Sequence, residues 1–318
     1  MKYLLTGGAG FVGSNLTRLL LQKGHSVISL DNFRTGKKSN IVEFIEDSKF
    51  SFYEGDVRDK KLLGRLVSKC DKVFHLAAAV GVKFVLDFPL ETILTNTLGT
   101  EAVLAEANKH DKRAIIFSTS EVYGKNDNIP FKEEHDLVIG ATTKMRWSYA
   151  TSKALDEFLS LAYHREKGLD VTVVRLFNTV GVGQLSEYGM VIPRFVKQAL
   201  NNEEITVYGD GTQTRCFCNV KDVVNVLFSL MESNHTSGEI FNIGTNERIS
   251  IMDLARLILD LTGSKSNIKT IPYKDVLGKD FEDMLHRVPD ISKIKDYIGF
   301  TPKYKIDETL REIIEFYT

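Results

Sequence analysis

The chain has 318 residues, of which 43% are hydrophobic and 26% charged, and its formal net charge is −1. These values are typical of a globular protein with one large α/β domain or two smaller ones. A charge so close to zero gives no general attraction to nucleic acid or to an anionic membrane, so neither is an expected partner. Membrane spans need roughly 20 apolar residues, which no run approaches, and the N-terminal MKYLLTGG is broken too early by glycine for a signal peptide.

The chain contains three cysteines, Cys70, Cys216 and Cys218. Their odd number and their spacing argue against a disulfide framework and favour a reducing compartment. Cys216 and Cys218 form a C-x-C pair without a second pair of ligands nearby, so we interpret them as strand residues on opposite faces rather than as a metal site. We therefore predict a cytoplasmic protein with no bound metal.

Short apolar runs alternate with helical patterns through the first half of the chain. Predicted strands cover residues 2–5, 26–30, 50–53, 72–76, 114–117 and 171–176. Helical spacing of apolar residues falls within residues 16–20, 62–67, 96–108 and 148–163. This alternation predicts an α/β fold with a Rossmann-type, doubly wound parallel sheet.

The pattern changes after residue 177. Gly181, Gly183 and Gly189 predict an irregular loop, and shorter elements follow: a helix over 192–200, a strand over 205–208, the turn-rich YGDGTQT, and a helix over 253–261. We predict a Rossmann domain over residues 1–177 and a smaller C-terminal substrate-binding domain over 178–318, with the possibility that the chain crosses back between them.

The stretch TGGAGFVG, residues 6–13, follows the first predicted strand and opens the first predicted helix. Glycines at 7, 10 and 13 allow a tight turn, close approach of the backbone to a pyrophosphate, and close packing of helix on strand. Asp31 ends the second strand, where a carboxylate accepts ribose hydroxyls and repels a 2′-phosphate. This pattern predicts NAD rather than NADP, although Asp31 capping a loop is the alternative.

Other strand ends add to this cofactor site. Asp56 and Val57 follow the third strand and are placed along the adenine, and the small residues after the fourth strand leave room for the dinucleotide. The candidate cofactor-binding residues are Gly7, Gly10, Phe11, Val12, Gly13, Asp31, Asn32, Asp56, Val57, Leu76, Ala77, Ala78, Tyr149 and Lys153.

Tyr149 and Lys153 lie four residues apart in SYATSK, which places both on one face of a helix. An ammonium beside a phenol, next to an oxidised nicotinamide, lowers the pKa of the tyrosine and makes it a base for a sugar hydroxyl. Upstream, STSEVYG places Glu121 at the end of a buried strand, where a carboxylate is costly without a partner or a function. The alternatives are a surface pair for Tyr149 and Lys153 and a structural carboxylate for Glu121.

TGGAGFVG, HLAA, STSEVYG and YATSK, in this order, resemble the extended short-chain dehydrogenase/reductases that modify nucleotide sugars, over essentially the whole chain. The resemblance implies that NAD is held through each turnover and that the chain forms a homodimer through the helices over 96–108 and 148–163. It also implies that Asn178 and Arg215 bind the nucleotide diphosphate of the substrate. A non-catalytic member would be expected to lack Thr119, Tyr149 or Lys153, and all three are present.

Three reactions in such enzymes begin by oxidising C4 of the sugar: 4-epimerisation, 4,6-dehydration and decarboxylation of a glucuronate. The run KMRWSY, residues 144–149, resembles the decarboxylase half of the bacterial aminoarabinose-pathway enzyme and UDP-apiose/xylose synthase. The stretch 278–291 resembles the one that brings a catalytic arginine into those sites, and Arg287 matches it; the alternative for Arg287 is diphosphate binding. We predict a UDP-glucuronate decarboxylase that yields UDP-xylose or the UDP-4-keto-pentose, with a UDP-sugar 4-epimerase as the main alternative and a 4,6-dehydratase as a weaker one.

This resemblance completes the set of candidate residues. The candidate catalytic residues are Thr119, Ser120, Glu121, Tyr149, Lys153 and Arg287. The candidate substrate-binding residues are Lys83, Asn178, Val191, Arg194, Tyr208, Arg215 and Arg287.

Overall fold

A computed structural model describes residues 1–184, 190–278 and 282–318. In these ranges the strands are β1 (Lys2–Thr6), β2 (Ser26–Asp31), β3 (Phe50–Glu54), β4 (Lys72–His75), β5 (Arg113–Thr119), β6 (Val171–Leu176), β7 (Thr179–Val180), β8 (Ile205–Tyr208), β9 (Thr214–Cys216), β10 (Cys218–Asn219), β11 (Ile240–Ile243), β12 (Arg248–Ser250), β13 (Ile268–Ile271) and β14 (His286–Arg287). The α-helices are α1 (Phe11–Gln22), α2 (Lys60–Val67), α3 (Val82–Asp87), α4 (Pro89–Lys109), α5 (Ser148–Lys167), α6 (Val191–Leu200), α7 (Val220–Glu232), α8 (Ile251–Thr262), α9 (Tyr273–Leu277), α10 (Ser292–Ile298) and α11 (Ile306–Tyr317). Short 3-10 helices cover Lys38–Asn40, Val42–Phe44, Ser120–Tyr123 and Met145–Trp147.

Seven strands form the central sheet, in the order β11-β6-β5-β4-β1-β2-β3. All neighbouring pairs in this sheet run parallel, so the carboxyl ends of the strands meet at one edge. The strand order reverses between β1 and β4, and the crevice at such a point is where doubly wound sheets bind ligands. The predicted Rossmann-type fold is therefore confirmed.

The sheet is buried on both faces. On one face α1 packs against α7, and on the other α4 packs against both α2 and α5. Strand β5 is buried over its first six residues, as is expected of a strand covered by helices on both sides. The apolar runs that predicted these strands thus reflect burial from two directions.

Helix α2 illustrates how local sequence sets an element. Asp59 caps its N-terminus by accepting hydrogen bonds from the backbone amides of Lys61 and Leu62, both at 3.0 Å. The predicted apolar spacing buries Leu63, Leu66 and Val67 against the sheet. Capping and burial together define the short helix.

The second lobe contains three small sheets. In one, β9 lies between β12, which is antiparallel to it, and β14, which is parallel to it. The other two are the parallel pairs β7–β10 and β8–β13. Helices α6, α8 and α11 cover these strands around an apolar cluster that includes Phe195, Ile205, Leu254 and Leu310.

One strand of the central sheet comes from the C-terminal half. After the first segment of the second lobe, over residues 178–219, the chain returns, and β11 pairs with the edge of β6. The predicted division at residue 177 does not capture this return, and it stays a prediction. Helix α4 also begins earlier than predicted, at Pro89, because proline is well suited to the first turn of a helix.

A buried ion pair fixes α5 to the sheet. Arg175 on β6 donates to Glu157 on α5, with Nη2 to Oε2 at 2.7 Å, and Ser118 on β5 donates to the same carboxylate. Both charged side chains are nearly inaccessible to solvent. This contact holds the helix that carries Tyr149 against the strand that carries Thr119.

Within the described ranges, no helix combines the length and the apolar character needed to cross a membrane.

Candidate active site

A cavity of about 930 Å³ lies between the carboxyl edge of the central sheet and the second lobe. Its size is at the upper end of the range for ligand sites in proteins. Every candidate cofactor-binding, catalytic and substrate-binding residue lines this cavity except Asp56. The fold therefore brings together residues that were recognised separately along 280 residues of sequence.

The glycine-rich turn between β1 and α1 forms one end of the cavity. Gly7 has φ +74°, and a Cβ there would lie 2.7 Å from the backbone nitrogen of Ala77. A Cβ on Gly13 would lie 2.4 Å from the carbonyl oxygen of Gly7. Helix α1 begins after Gly10 without a side-chain cap, so its first amides face the cavity as donors suited to phosphate. These residues fit the pyrophosphate of a dinucleotide.

Asp31 lies at the end of β2, where the ribose carboxylate of this fold is expected. Its Oδ2 accepts from the backbone amide of Ala9 at 2.9 Å, and its Oδ1 accepts from that of Phe33 at 2.8 Å. Burial raises the pKa of Asp31, and these two hydrogen bonds oppose the rise. Each oxygen retains a lone pair for a ribose hydroxyl, so the predicted role and the loop-capping alternative are both compatible with this geometry.

Asp56 lies apart from the cavity. Its carboxylate accepts from Arg58, with Nη2 to Oδ2 at 2.7 Å, and from Asn32 at 3.2 Å. The hydrogen bond from Arg58 lowers the pKa of Asp56. Val57, the next residue, does line the cavity.

The three residues of the candidate oxidation site converge from β5 and α5. Thr119 is the last residue of β5, and its Oγ1 accepts from the backbone amide of Glu121 at 3.2 Å. Tyr149 and Lys153 lie one turn apart on α5 and line the cavity beside it. Neighbouring strand and helix ends thus place a hydroxyl, a phenol and an ammonium in one corner.

The expectation that Lys153 lowers the pKa of Tyr149 is not met in the protein alone. Burial raises the pKa of Tyr149, the charge of Glu121 raises it further, and a hydrogen bond with Thr119 opposes the rise. Lys153 instead donates to Oδ2 of Asp156 at 2.6 Å. A carboxylate that sequence reasoning did not identify therefore offsets the charge of the ammonium.

Glu121 lies between two arginines at the sugar end of the cavity. Arg146 donates from Nη1 to Oε2 at 2.5 Å, and Arg287 donates from Nη1 to Oε1 at 3.2 Å. Burial alone would raise the pKa of Glu121, but the two guanidinium groups lower it overall. Glu121 is thus a largely buried, ionised carboxylate held by two arginine side chains.

A second carboxylate, Asp283, extends this cluster. It accepts from Arg215 and from the hydroxyl of Tyr273, each at 2.9 Å, and lies 3.5 Å from Nη2 of Arg287. Burial would raise the pKa of Asp283, but Arg215, Arg287 and Arg146 lower it overall. Burial and the neighbouring Arg287 lower the pKa of Arg215 to about 10. At neutral pH three guanidinium groups therefore face two carboxylates, which leaves one positive charge.

The remaining candidate substrate-binding residues line the opposite wall. Asn178 adopts φ +23° and donates to the carbonyl of Cys216 at 3.1 Å. The guanidinium of Arg194 lies 3.8 Å from the ring centroid of Tyr208, an arrangement that also suits stacking on a nucleotide base. Lys83 is exposed at the entrance, and Val191 begins α6.

Sequence reasoning missed Arg146, Tyr273 and Asp283 as cavity residues. All three fall within or near the motifs already quoted, but their roles depend on which side chains meet across the two lobes. Thr35 and Asn40, next to Asp31, also line the cofactor end. Gly189 of the expected loop, and Lys279, Asp280 and Phe281 of the 278–291 stretch, lie outside the described residues.

The sequence profile of the NAD dependent epimerase/dehydratase family matches residues 3–244. The chain belongs to this family. It is an NAD-dependent enzyme, and the glycine turn, Asp31 and the residues around Tyr149 are the groups that would hold the cofactor.

Similar proteins include decarboxylases and an epimerase. A UDP-N-acetyl-alpha-D-glucosaminuronate decarboxylase of Bacillus cytotoxicus is 42% identical over 317 residues, which are 99% of this chain and 97% of that protein. UDP-glucuronic acid decarboxylase 1 of Danio rerio is 37% identical over 320 residues, 100% of this chain and 72% of that protein. A solved structure of UDP-glucuronic acid 4-epimerase from Bacillus cereus, in complex with UDP-glucuronic acid and NAD, has a TM-score of 0.89 at 29% identity and covers 99% of this chain and 98% of that one.

Gly13→Ala should weaken NAD binding by at least about tenfold, because the new methyl group would meet the carbonyl of Gly7 and shift the pyrophosphate turn. NAD content after purification and calorimetric titration of the stripped protein would measure the loss. Gly64→Ala on α2 is the matched control, since the added methyl meets the flexible end of Glu106. Equal NAD affinity in Gly13→Ala and the unmodified protein would contradict the assignment of this turn.

Proposed function

We propose that this family member decarboxylates a UDP-linked hexuronate, UDP-glucuronate in the first instance, and yields the UDP-4-keto-pentose or UDP-xylose. The observation that carries the proposal is the group formed by Arg146, Glu121 and Arg287 beside Tyr149. Two buried guanidinium groups next to the candidate base suit a substrate with a carboxylate at C6, close to the carbon that is oxidised. A neutral sugar needs no such cations there.

Oxidation of C4 begins the reaction. Thr119 orients the C4 hydroxyl, and Tyr149 accepts its proton once its phenol has been ionised. NAD bound at the glycine turn would supply the acceptor for the C4 hydride. Lys153 lies one turn after Tyr149 on α5, where its ammonium can bind hydroxyls of a bound ribose.

The C4 ketone makes the substrate a β-keto acid. The C5–C6 bond then breaks, its electron pair passes through C5 to the C4 oxygen, and CO2 leaves. Tyr149, now protonated, donates to the enolate oxygen on C4, where negative charge develops. Ser120 is buried and lines the cavity next to Glu121, so its hydroxyl is placed to deliver a proton to C5.

Glu121 explains how arginines can bind a carboxylate that must also leave. A carboxylate held too firmly by a cation is a poor leaving group, because that interaction stabilises the ground state more than the transition state. Arg146 and Arg287 already share Glu121 between them. The substrate carboxylate therefore competes for both arginines, and CO2 can depart while Glu121 regains them.

The relatives support decarboxylation and leave two substrates to compare. The protein from Bacillus cytotoxicus is named for an N-acetylated hexuronate and the one from Danio rerio for glucuronate itself. The two sugars differ at C2 and share the C6 carboxylate on which the proposal depends.

A UDP-glucuronate 4-epimerase is the second candidate. The Bacillus cereus structure with UDP-glucuronic acid bound has the same fold over almost the whole chain. An epimerase would also bind the carboxylate, but it would turn the ketone over and return the hydride to the other face.

Purified protein mixed with UDP-glucuronate, without added NAD, should release CO2 and form a UDP-pentose or UDP-4-keto-pentose that mass spectrometry detects. A parallel reaction with UDP-N-acetylglucosaminuronate would show which C2 substituent is preferred. An unchanged mass with UDP-galacturonate on chromatography would contradict decarboxylation and establish the epimerase. Tyr149→Phe is the control, because this variant should show no NAD reduction at 340 nm.

Glu121→Gln should leave NAD reduction on substrate addition intact, slow CO2 release by about 100-fold, and lower KM. The reason is that both arginines would then hold the substrate carboxylate without competition. Single-turnover absorbance at 340 nm and labelled CO2 release would separate the two steps. Glu133→Gln is the matched control, because it changes a half-buried carboxylate outside the cavity. Normal CO2 release by Glu121→Gln would exclude the assigned role.

We further propose a homodimer through α4 and α5. These helices pack against each other and carry large apolar side chains on their outer surface. Leu98 on α4 is 49% exposed, and Leu155 and Phe158 on α5 are 47% and 68% exposed. Burial of such a patch against a second copy is the usual reason for its presence on a stable protein.

Combining Leu98→Glu with Phe158→Glu should convert the protein to a monomer, because four carboxylates would be brought together at the symmetric interface. Light scattering after size-exclusion chromatography would measure the mass. Phe316→Glu on α11, where the side chain is 58% exposed, is the control that should leave the dimer intact. A dimeric double variant would show that the interface lies elsewhere.

Both lobes line the cavity, and each is assigned a different ligand. We propose that residues 1–177 bind NAD and residues 178–318 bind the nucleotide sugar, with β11 returning to the first lobe. The three buried, free thiols support action in the cytoplasm.

A further inference from the structure

Lys153, beside the candidate base Tyr149, is paired with a carboxylate that the proposed reaction does not use. Its Nζ lies 2.6 Å from Oδ2 of Asp156, and the two side chains are 3% and 0% exposed. Residues three apart on α5 lie on the same helix face, so the pair is built into the helix itself. Solvent weakens an ion pair little at this degree of burial, so the carboxylate of Asp156 largely offsets the positive charge of Lys153.

The groups packed around this pair are neutral or already paired. His75 on β4 contacts Thr6 through Nδ1 and Thr100 through Nε2, at 2.7 and 3.1 Å. Burial and the charge of Lys153 lower the pKa of His75 to about 3, so this ring is neutral at physiological pH.

The remaining neighbour of Asp156 is Glu157. It is the next residue on α5, and its charge is compensated by Arg175 on β6. Burial raises the pKa of Asp156, and the adjacent Lys153 opposes the rise. The carboxylate of Asp156 is therefore placed to act on Lys153, and through Lys153 on Tyr149 one helical turn before it. Asp156 is engaged by no other cation in the described part of the chain.

Apart from burial, four groups shift the pKa of Tyr149. After burial, Glu121 from the Ser120–Tyr123 turn and Asp156 from α5 raise the pKa of Tyr149. Thr119 from β5 and Arg146 from the Met145–Trp147 turn lower it. Asp156 thus opposes the ionisation that catalysis requires, and it does so from one helical turn past Lys153.

We propose that Asp156 is a positioning residue that holds the Lys153 ammonium and keeps the Tyr149 phenol protonated until a further positive charge arrives beside it. Oxidised NAD carries such a charge on its nicotinamide ring. The phenol would then ionise when the site is loaded for oxidation and would remain a hydrogen-bond donor otherwise. The inference rests on Tyr149 being the base, which is part of the proposed function, and it is independent of the fate of the C6 carboxylate.

Asp156→Asn keeps the shape of the side chain and removes its charge, so it tests the proposal directly. In the NAD-loaded protein, the Tyr149 resonance of a [ζ-13C]tyrosine-labelled sample should titrate at a pH lower by on the order of one unit. Tyr149→Phe assigns that resonance among the 11 tyrosines. The acid limb of NAD reduction on substrate addition should shift in the same direction.

Controls separate this role from a structural one. Asp222→Asn removes a buried carboxylate that accepts from the amides of Lys303 and Tyr304, far from Tyr149, and should lower stability without moving the resonance. Asp156→Ala serves where Asp156→Asn does not fold. An unchanged Tyr149 titration in either Asp156 variant would overturn the proposal, even if the variant were less stable.

The two proposals fail in different ways. If Tyr149→Phe still reduced NAD, Tyr149 would not be the base, and the proposed function and the role of Asp156 would both fall whatever the resonance showed. If Tyr149→Phe were inactive and the resonance did not shift, the base would stand and the role of Asp156 would fall.

Discussion

Because all seven strands of the central sheet run parallel, every strand delivers its last residue to the same edge. Asp31 ends β2, His75 ends β4 and Thr119 ends β5. The helix that follows β1 begins at this edge, and α5 passes beside it with Tyr149. The chemistry of the protein is therefore concentrated where the topology, rather than any single motif, brings the chain ends together.

The second lobe completes the site through charge. Glu121 and Arg146 come from the first lobe, and Arg215, Asp283 and Arg287 come from the second. A buried ion costs several kcal/mol when it is unpaired, so none of these groups is stable in the cavity by itself. Each lobe pairs its own ions, and Arg287 links the two sets because it contacts Glu121 of the first lobe and Asp283 of the second. The excess positive charge is left where an anionic substrate would enter.

Much of the fold follows from local patterns. Apolar runs identified the first six strands of the sheet, and the glycine turn and the Tyr149–Lys153 spacing identified both ends of the cavity. Strand β11 was not identified, because its four residues make sense as a strand only when β6 is available to pair with them. Helix α4 begins at Pro89, before the predicted start at residue 96, and its first turns pack against α3.

The ion pairs in the site could not be read from the sequence at all. Arg146 and Glu121 are 25 residues apart, and Arg287 and Glu121 are 166 apart. Asp156 is different, because it lies three residues from Lys153 and one helical turn suffices to pair them. The three-residue spacing of Lys153 and Asp156 can be seen in ATSKALD. A carboxylate on a helix is usually exposed, however, and only the structure shows that this one is buried.

In the proposed reaction, Glu121 and Asp156 illustrate the same physical principle at two points. Each is a largely buried carboxylate that shares a cation with a group that reacts. Each therefore weakens the interaction between that cation and the reacting group. Around Glu121 the arginines can orient a carboxylate without preventing its loss. Around Asp156 the ammonium can orient a ribose without ionising Tyr149 too early. In both places the field acting on the reacting group is set by the competing carboxylate as much as by the cation, because neither pair is exposed enough for water to screen it.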